Sequence, residues 1–279
     1  MKYRHSFHAG NFADVHKHVT LLALLGALKR KEKGFAYFET HAGKGRYDLS
    51  SGSEEIATGI GKFMSAGSAG PAAAPELTAY AELIAKWREQ EKNRHFYPGS
   101  PLFAANELRP VDRAILCELV LTEARALEKA VEPFAHVRVE QGDGFERLRA
   151  WLPPPERRGL IFIDPPYEET RQDFDRVMRA VTDALHRFQT GVIAVWFPIK
   201  EERETGKWVN AVAAGVKRET LISEFWLYPR DSRVALNGSG MLIVNPPHLF
   251  GERTAAWLPE LQARLDVGRS GGTSVRTVV

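Results

Sequence analysis

Leu160-Ile161-Phe162-Ile163-Asp164-Pro165-Pro166-Tyr167 decides the fold: four consecutive apolar residues stop abruptly on a carboxylate and two prolines. A short unbroken apolar run of this kind reads as a strand covered on both faces, the pattern of a parallel sheet. Six further short runs are rich in β-branched or aromatic residues: Phe35–Glu39, Ala114–Leu119, Val137–Glu140, Val192–Phe197, Ser223–Tyr228 and Met241–Asn245. Helical patterns separate them. Asp14 is placed to cap a helix reaching about Arg30, Thr122 to cap Glu123–Val131 and Asp143 to cap Phe145–Trp151, and Glu168–Phe188 forms a long crossover. Seven strands alternating with helices imply an α/β, Rossmann-like, doubly wound and mostly parallel sheet.

One interval is too long for this scheme. Strand one ends near Glu39 and the next begins near Ala114, whereas a crossover takes only about a dozen residues. Within the interval, Leu77, Tyr80, Leu83, Ile84 and Trp87 recur at helical spacing behind a Gly/Ala/Ser-rich stretch. A small helical subdomain inserted at about 48–97 is expected, followed by a Tyr97-Pro98-Gly99-Ser100-Pro101 turn into a helix beginning near Ser100. Residues 1–279 then form a single domain with this insertion. Its Gly/Ser/Thr-rich end, 268–279, is expected to fray.

Hydrophobic residues at 44% and charged residues at 26% exclude collagen-like, largely disordered and coiled-coil classes. The single cysteine, Cys117, rules out an internal disulfide and a multi-cysteine zinc site, and makes a reducing cytoplasm the default. The apolar stretch Val19–Leu28 falls short of the ~20 residues that span a bilayer, and no small-residue cleavage site follows it, so a retained helix and no membrane partner are expected. A net charge of +3 does not by itself suggest nucleic acid. Its distribution does: residues 1–34 hold Lys2, Arg4, Lys17, Lys29, Arg30, Lys31 and Lys33 against Asp14 and Glu32, a net +5, which leaves −2 for the rest. His5, His8, His16 and His18 lie in the same segment, interleaved with Tyr3 and Phe7. Close histidines are a metal-ligand pattern, but no carboxylate or cysteine completes a convincing set, so no metal is expected. A basic aromatic segment gripping nucleic acid is the more natural reading, and a solvated terminus before a core helix is the plain alternative.

The chemistry concentrates at strand ends, where open α/β sheets bind ligands. Consecutive prolines have no N–H donors, so Asp164, Pro165 and Pro166 form a wall of acceptors, and Tyr167 adds an aromatic face suited to a planar base with an exocyclic amine. Asn245-Pro246-Pro247-His248 also follows an apolar strand but lacks the final aromatic residue, and reads as a structural version of the turn. Strand one runs into Glu39-Thr40-His41-Ala42-Gly43-Lys44-Gly45-Arg46-Tyr47, whose two glycines allow close backbone approach to a ligand. It matches neither the dinucleotide fingerprint nor a P-loop. Glu118 stands where an acid holds ribose hydroxyls, and Asp143-Gly144 ends the next strand, an arrangement suited to a nucleotide-like cofactor.

Tyr3-Arg4-His5-Ser6-Phe7-His8-Ala9-Gly10-Asn11, Ala13-Asp14-Val15-His16-Lys17-His18, the Thr40–Tyr47 turn, Tyr97–Pro101 and Asp164-Pro165-Pro166-Tyr167 together closely resemble the RlmJ-type methyltransferases. The likeness extends through the Gly240-Met241 strand. It implies a class I S-adenosylmethionine-dependent methyltransferase fold, a 23S rRNA partner and methylation of N6 of one adenine; a monomer is the default expectation. On matching positions, Asp164 accepts the adenine amine, the Pro165 carbonyl is the second acceptor, Pro166 completes the turn and Tyr167 stacks on the flipped base. Lys17, His18, His41, Gly43, Ser100, Glu118, Asp143, Gly144 and Asp164 are implied to hold S-adenosylmethionine, and Tyr3, His5 and Lys17 to form a lid against the RNA. Ala42 departs from the broader methyltransferase pattern, and His16 stands where an apolar residue is expected. The rival readings are a non-catalytic nucleic-acid-binding protein and an enzyme acting on DNA adenine or rRNA guanine.

Overall fold

The computed structural model describes residues 8–66, 74–168, 170–230, 232, 234, 236–268 and 270–279. Helix α1 (Phe12–Lys29) comes first among them. Its N-cap is Asn11, not Asp14 as expected: the Asn11 side chain accepts the Asp14 N–H at 2.9 Å, while Asp14 accepts the Gly10 N–H at 2.9 Å. This reciprocal pair is a variant of the capping box, which leaves Asp14 inside the first turn. Strand β1 (Ala36–Glu39) follows, then β2 (Arg46–Asp48), α2 (Glu54–Ile56), a π-helical turn at Ala57–Gly61, α3 (Lys62–Ser65), α4 (Pro75–Gln90) and β3 (Phe96–Pro98). The chain continues through α5 (Ser100–Glu107), β4 (Arg113–Glu118), α6 (Leu121–Val131), β5 (Val137–Gln141), α7 (Gly144–Trp151) and β6 (Gly159–Ile163). The last third holds α8 (Thr170–Arg187), β7 (Val192–Ile199), α9 (Glu202–Val216), β8 (Thr220–Trp226), β9 (Gly238–Val244), α10 (Phe250–Leu265) and β10 (Gly272–Val278).

Among the described residues the main sheet has eight strands in the order β10-β8-β9-β7-β6-β1-β4-β5, with β9 antiparallel to both neighbours and β10 antiparallel to β8. The seven-stranded expectation therefore gains a strand from the segment expected to fray. Thr273, Val275, Thr277 and Val278 favour extended structure, and residues 272–278 pair with β8 from Gly272↔Trp226 to Val278↔Thr220. Two smaller corrections have equally local causes. α6 begins at Leu121 with no side-chain cap, so Thr122 is inside the helix. Tyr97-Pro98 is not a turn: β3 pairs antiparallel with β2, adding a two-stranded ribbon to the helical insertion.

Strand side chains alternate between two cores. Tyr37, Leu116, Phe162, Ala194 and Met241 pack with α1, α4, α5, α6 and α10, whereas Phe38, Cys117, Ile163, Val195 and Leu242 pack with α7, α8 and α9. Both faces of β1, β4, β6 and β7 are covered, as their apolar runs require, whereas the edge strand β5 alternates apolar and charged residues and is only partly buried. Leu77, Tyr80, Leu83, Ile84 and Trp87 are all buried on α4 and join the core of the α1 side. From β1 the chain moves outward to β4 and β5, then returns to β6 on the opposite side of β1. The strand order thus reverses between β1 and β6, and a crevice opens beyond their carboxyl ends.

Candidate active site

Asp164 directly follows β6 at this crevice and meets α1, which passes over it. Lys17 Nζ lies 2.5 Å from Asp164 Oδ2 and 2.7 Å from Asp14 Oδ1, and Lys17 is 4% exposed. Burial alone would discharge the ammonium, but the two carboxylates outweigh it and raise its pKa. Lys17 also stands 5.7 Å from the centre of the Trp196 ring, a cation–π distance.

The Asp-Pro-Pro-Tyr turn has a fixed shape. Pro165 is buried, Pro166 is exposed, and Tyr167 adopts a left-handed φ of 49° that is uncommon outside glycine. The Tyr167 hydroxyl donates to the Trp196 carbonyl at 2.6 Å, and its ring packs edge-on against Phe174 and Trp196 at 5.1 and 5.6 Å. With 1% exposure it presents no open face in this structure. A buried phenol needs an acceptor, and the bond to the strand carbonyl fixes the ring in place next to the Asp164 turn.

The first turn is clamped by Glu118. Its carboxylate accepts the Gly43 N–H and the Val120 N–H, both at 2.8 Å, and burial raises its pKa. Gly43 has φ +63°, and a Cβ there would lie 2.5 Å from the Tyr47 hydroxyl, so only glycine fits. Leu119, Val120 and Leu121, 50 to 60% exposed, form an apolar lip beside Glu118. Consecutive exposed apolar residues beside an acid are anomalous on a free surface.

Glu39 ends β1, fully buried, and accepts from Ser100 Oγ at 2.5 Å and Tyr37 Oη at 2.9 Å; burial pushes its pKa up to about 8. His41 lies 2.8 Å from Thr40 Oγ1 and edge-on to Phe145, and burial pushes its pKa down to about 4. Asp143 caps α7 by accepting from Phe145 and Glu146 and pairs with Arg176 at 2.6 Å. Gly144 fits because any Cβ would strike the Thr40 carbonyl oxygen at 2.0 Å. His18, 1% exposed, lies 2.8 Å from the Tyr97 hydroxyl, which in turn lies 2.9 Å from that of Tyr80. Tyr3 and His5 lie outside the described residues.

Several members of this constellation have no sequence signal of their own. Trp196 is the clearest, because nothing in a β-strand tryptophan foretells that it will sit between Lys17 and Tyr167. His16 is another: its ring nitrogens lie 2.9 Å from Ser239 Oγ and 3.1 Å from Ser223 Oγ, and Ser239 also accepts from Trp196 Nε1 at 3.0 Å. Burial keeps His16 neutral, with a pKa pushed down to about 3. Asp14 and Glu39 carry signals that the sequence alone did not assign to the site, an Asn11-x-x-Asp14 helix start and an acid at a strand end. Asn245-Pro246-Pro247-His248 behaves as a structural turn, since Asn245 donates to the Gln189 and Gly191 carbonyls at 2.9 Å. It follows the antiparallel β9, which ends opposite the start of β7, away from Asp164. Among the described residues, no cluster of His, Cys, Asp and Glu could hold a metal, and no helix is long and apolar enough to cross a membrane.

A family model described as "Ribosomal RNA large subunit methyltransferase D, RlmJ" matches residues 32–279. Ribosomal RNA large subunit methyltransferase J of Haemophilus influenzae is 38% identical over 283 residues, covering 100% of this chain and 99% of its own. The protein of the same name from Escherichia coli is 37% identical over 285 residues, with the same coverage. The crystal structure of protein LPL1258 from Legionella pneumophila superposes with a TM-score of 0.87 at 35% identity, covering 97% of this chain and 98% of that one. With Asp164 at the switch point, a first turn clamped by Glu118 and full-length relatives in agreement, the chain belongs to the RlmJ family of methyltransferases, whose methyl donor is S-adenosylmethionine.

Proposed function

We propose that this protein methylates the exocyclic N6 of a single adenine in 23S rRNA, of the adenine-2030 type, after drawing the base out of its stack into the Asp164-Pro165-Pro166-Tyr167 crevice. The observation that carries the reading is the Lys17–Asp164 contact. At 2.5 Å, a nitrogen donor already makes with Asp164 Oδ2 the hydrogen bond an adenine amine requires. Lys17 has a second seat on Asp14, so it yields Asp164 to the substrate without being left as a lone buried charge.

S-adenosylmethionine supplies a methyl group made electrophilic by its sulfonium. Glu118, the Gly43 turn and the Leu119–Leu121 lip are suited to its nucleoside, and Glu39, His41 and Ser100 line the neighbouring part of the crevice. Asp164 and the Pro165 carbonyl accept the two N6 hydrogens, which directs the nitrogen lone pair away from the ring and towards the donor for direct in-line transfer. As the N6–carbon bond forms and the sulfur–methyl bond breaks, positive charge developing on N6 meets these fixed acceptors without their having to reorganise, and one N6 proton leaves as the methyl arrives or afterwards. Extruding the base costs a few kcal/mol, offset by contacts within the crevice. Tyr167 fixes the loop that carries both prolines.

The identity of the product tests this reading. Purified protein incubated with labelled S-adenosylmethionine and unmodified 23S rRNA, followed by digestion to nucleosides, is expected to yield N6-methyladenosine at one position. N2-methylguanosine, or preferential labelling of duplex DNA, overturns it.

A further inference from the structure

Four of the cations in the basic amino-terminal segment lie far from Asp164. α1 passes Asp164 at Lys17 and reaches Lys29 about 18 Å further on, at ~1.5 Å per residue, where the chain turns into the amino end of β1. Arg109 donates to the main-chain carbonyls of Lys29 and Lys31 at 3.4 and 3.1 Å, and Arg158 to those of Leu28, at 2.8 Å, and Lys33. The 29–33 turn, Arg109, Arg157 and Arg158 therefore form one continuous surface at the amino-end edge of the strands, opposite the active site.

Its charge is unbalanced. Lys29, Arg30, Lys31, Lys33, Arg109, Arg113, Arg157 and Arg158 face Glu32, Glu107, Asp112 and Glu156, a local +4 in a chain whose total is +3. Glu107, Asp112 and Glu156 are engaged with Lys29, Arg109 and Arg113. Among the described residues, Arg30, Lys31, Lys33, Arg157 and Arg158 form no ion pair. The first three and Arg157 are exposed. Burial and then the nearby Arg109 lower the pKa of Arg158, so like charges are crowded at this surface. Arg157 is held at a left-handed φ of 55° by a turn closed on Pro154, a conformation that is uncommon for a non-glycine residue. The only large hydrophobic residue strongly exposed within this surface is Val111, so it lacks the apolar centre of a protein interface.

We infer that this edge is a second RNA-binding surface, which grips the phosphate backbone of rRNA outside the segment that enters the active site. The proposal rests on the proposed function for the identity of the RNA, but not for the binding itself. Flexible lysines and arginines with no partner carboxylate match a polyanion, whose neutralisation releases counterions and adds affinity without sequence preference. Two contacts at opposite edges hold a folded RNA more firmly than a lid alone, while each remains weak enough to release it.

A fluorescein-labelled 20-base-pair RNA duplex of arbitrary sequence is the probe, titrated by anisotropy over a range of KCl concentrations. Wild-type protein is compared with the exposed-surface triple variant Lys31→Glu/Lys33→Glu/Arg157→Glu. The variant is expected to bind at least about tenfold more weakly, with a log–log salt slope shallower by about 2 to 3, and with unchanged melting temperature and S-adenosylmethionine affinity. Wild-type affinity and slope in a folded variant overturn the proposal, and would assign the surface to another partner. Methyl transfer to 23S rRNA, measured alongside, separates the two claims: if wild type transfers none, the proposed function fails while the duplex comparison still decides this surface.

Discussion

Lys17 and His16 are consecutive residues of one buried helix with opposite electrostatic fates. Lys17 stays charged because two carboxylates lie within hydrogen-bonding distance, while His16 stays neutral between two serines. The sequence made Lys17 legible as a site residue through its motif, and left His16 unexplained. Its partners are more than 200 positions away on β8 and β9, so no local pattern could reveal them. A measurable consequence follows from its pKa, about 3 in the folded protein against an ordinary 6.5. Between those values the unfolded chain binds a proton that the folded chain refuses, so stability falls as pH drops below 6.5, by about 1.4 kcal/mol per unit for this group. His16→Phe keeps an aromatic ring against Phe225 and Trp257 but removes the titration. Urea unfolding is expected to show the variant losing about 2 kcal/mol less than wild type between pH 6.5 and 5. Parallel losses in the two proteins contradict the assignment.

At the scale of elements, periodicity located every parallel strand and the five buried positions of α4. What it missed were features decided by pairing. β10 carries the composition of a tail, yet the open edge of β8 offers a row of unpaired backbone groups, and its seven residues satisfy them. β3 was hidden in a Pro-Gly segment for the same reason, since its partner β2 lies about fifty residues earlier. Deleting residues 268–279 discriminates between a strand and a frayed end. With β10 structural, the melting temperature is expected to fall by at least about 5 °C, with aggregation through the exposed β8 edge; an unchanged melting curve indicates a dispensable tail.

At the scale of the whole molecule, the two-sided sheet explains why the site lies where it does. A chain that winds from β1 outward, then back to β6, leaves one crevice at the point of reversal, and Asp164 stands in it. This much was written in the alternation of apolar runs and in one Asp-Pro-Pro-Tyr turn. Charge was less faithfully legible. The first 34 residues read as a single basic lid, but a helix about 27 Å long carries Lys17 to the catalytic edge and Lys29–Lys33 to the opposite one. Summing charge along a sequence cannot anticipate that separation. The central claim is that Asp164 accepts the reacting amine, and Asp164→Ala tests it most directly through two readouts: methyl transfer to 23S rRNA and calorimetric titration with S-adenosylmethionine. The prediction is loss of N6-methyladenosine below detection, with saturable S-adenosylmethionine binding largely retained through its other contacts. Full methyl transfer by the folded variant contradicts it.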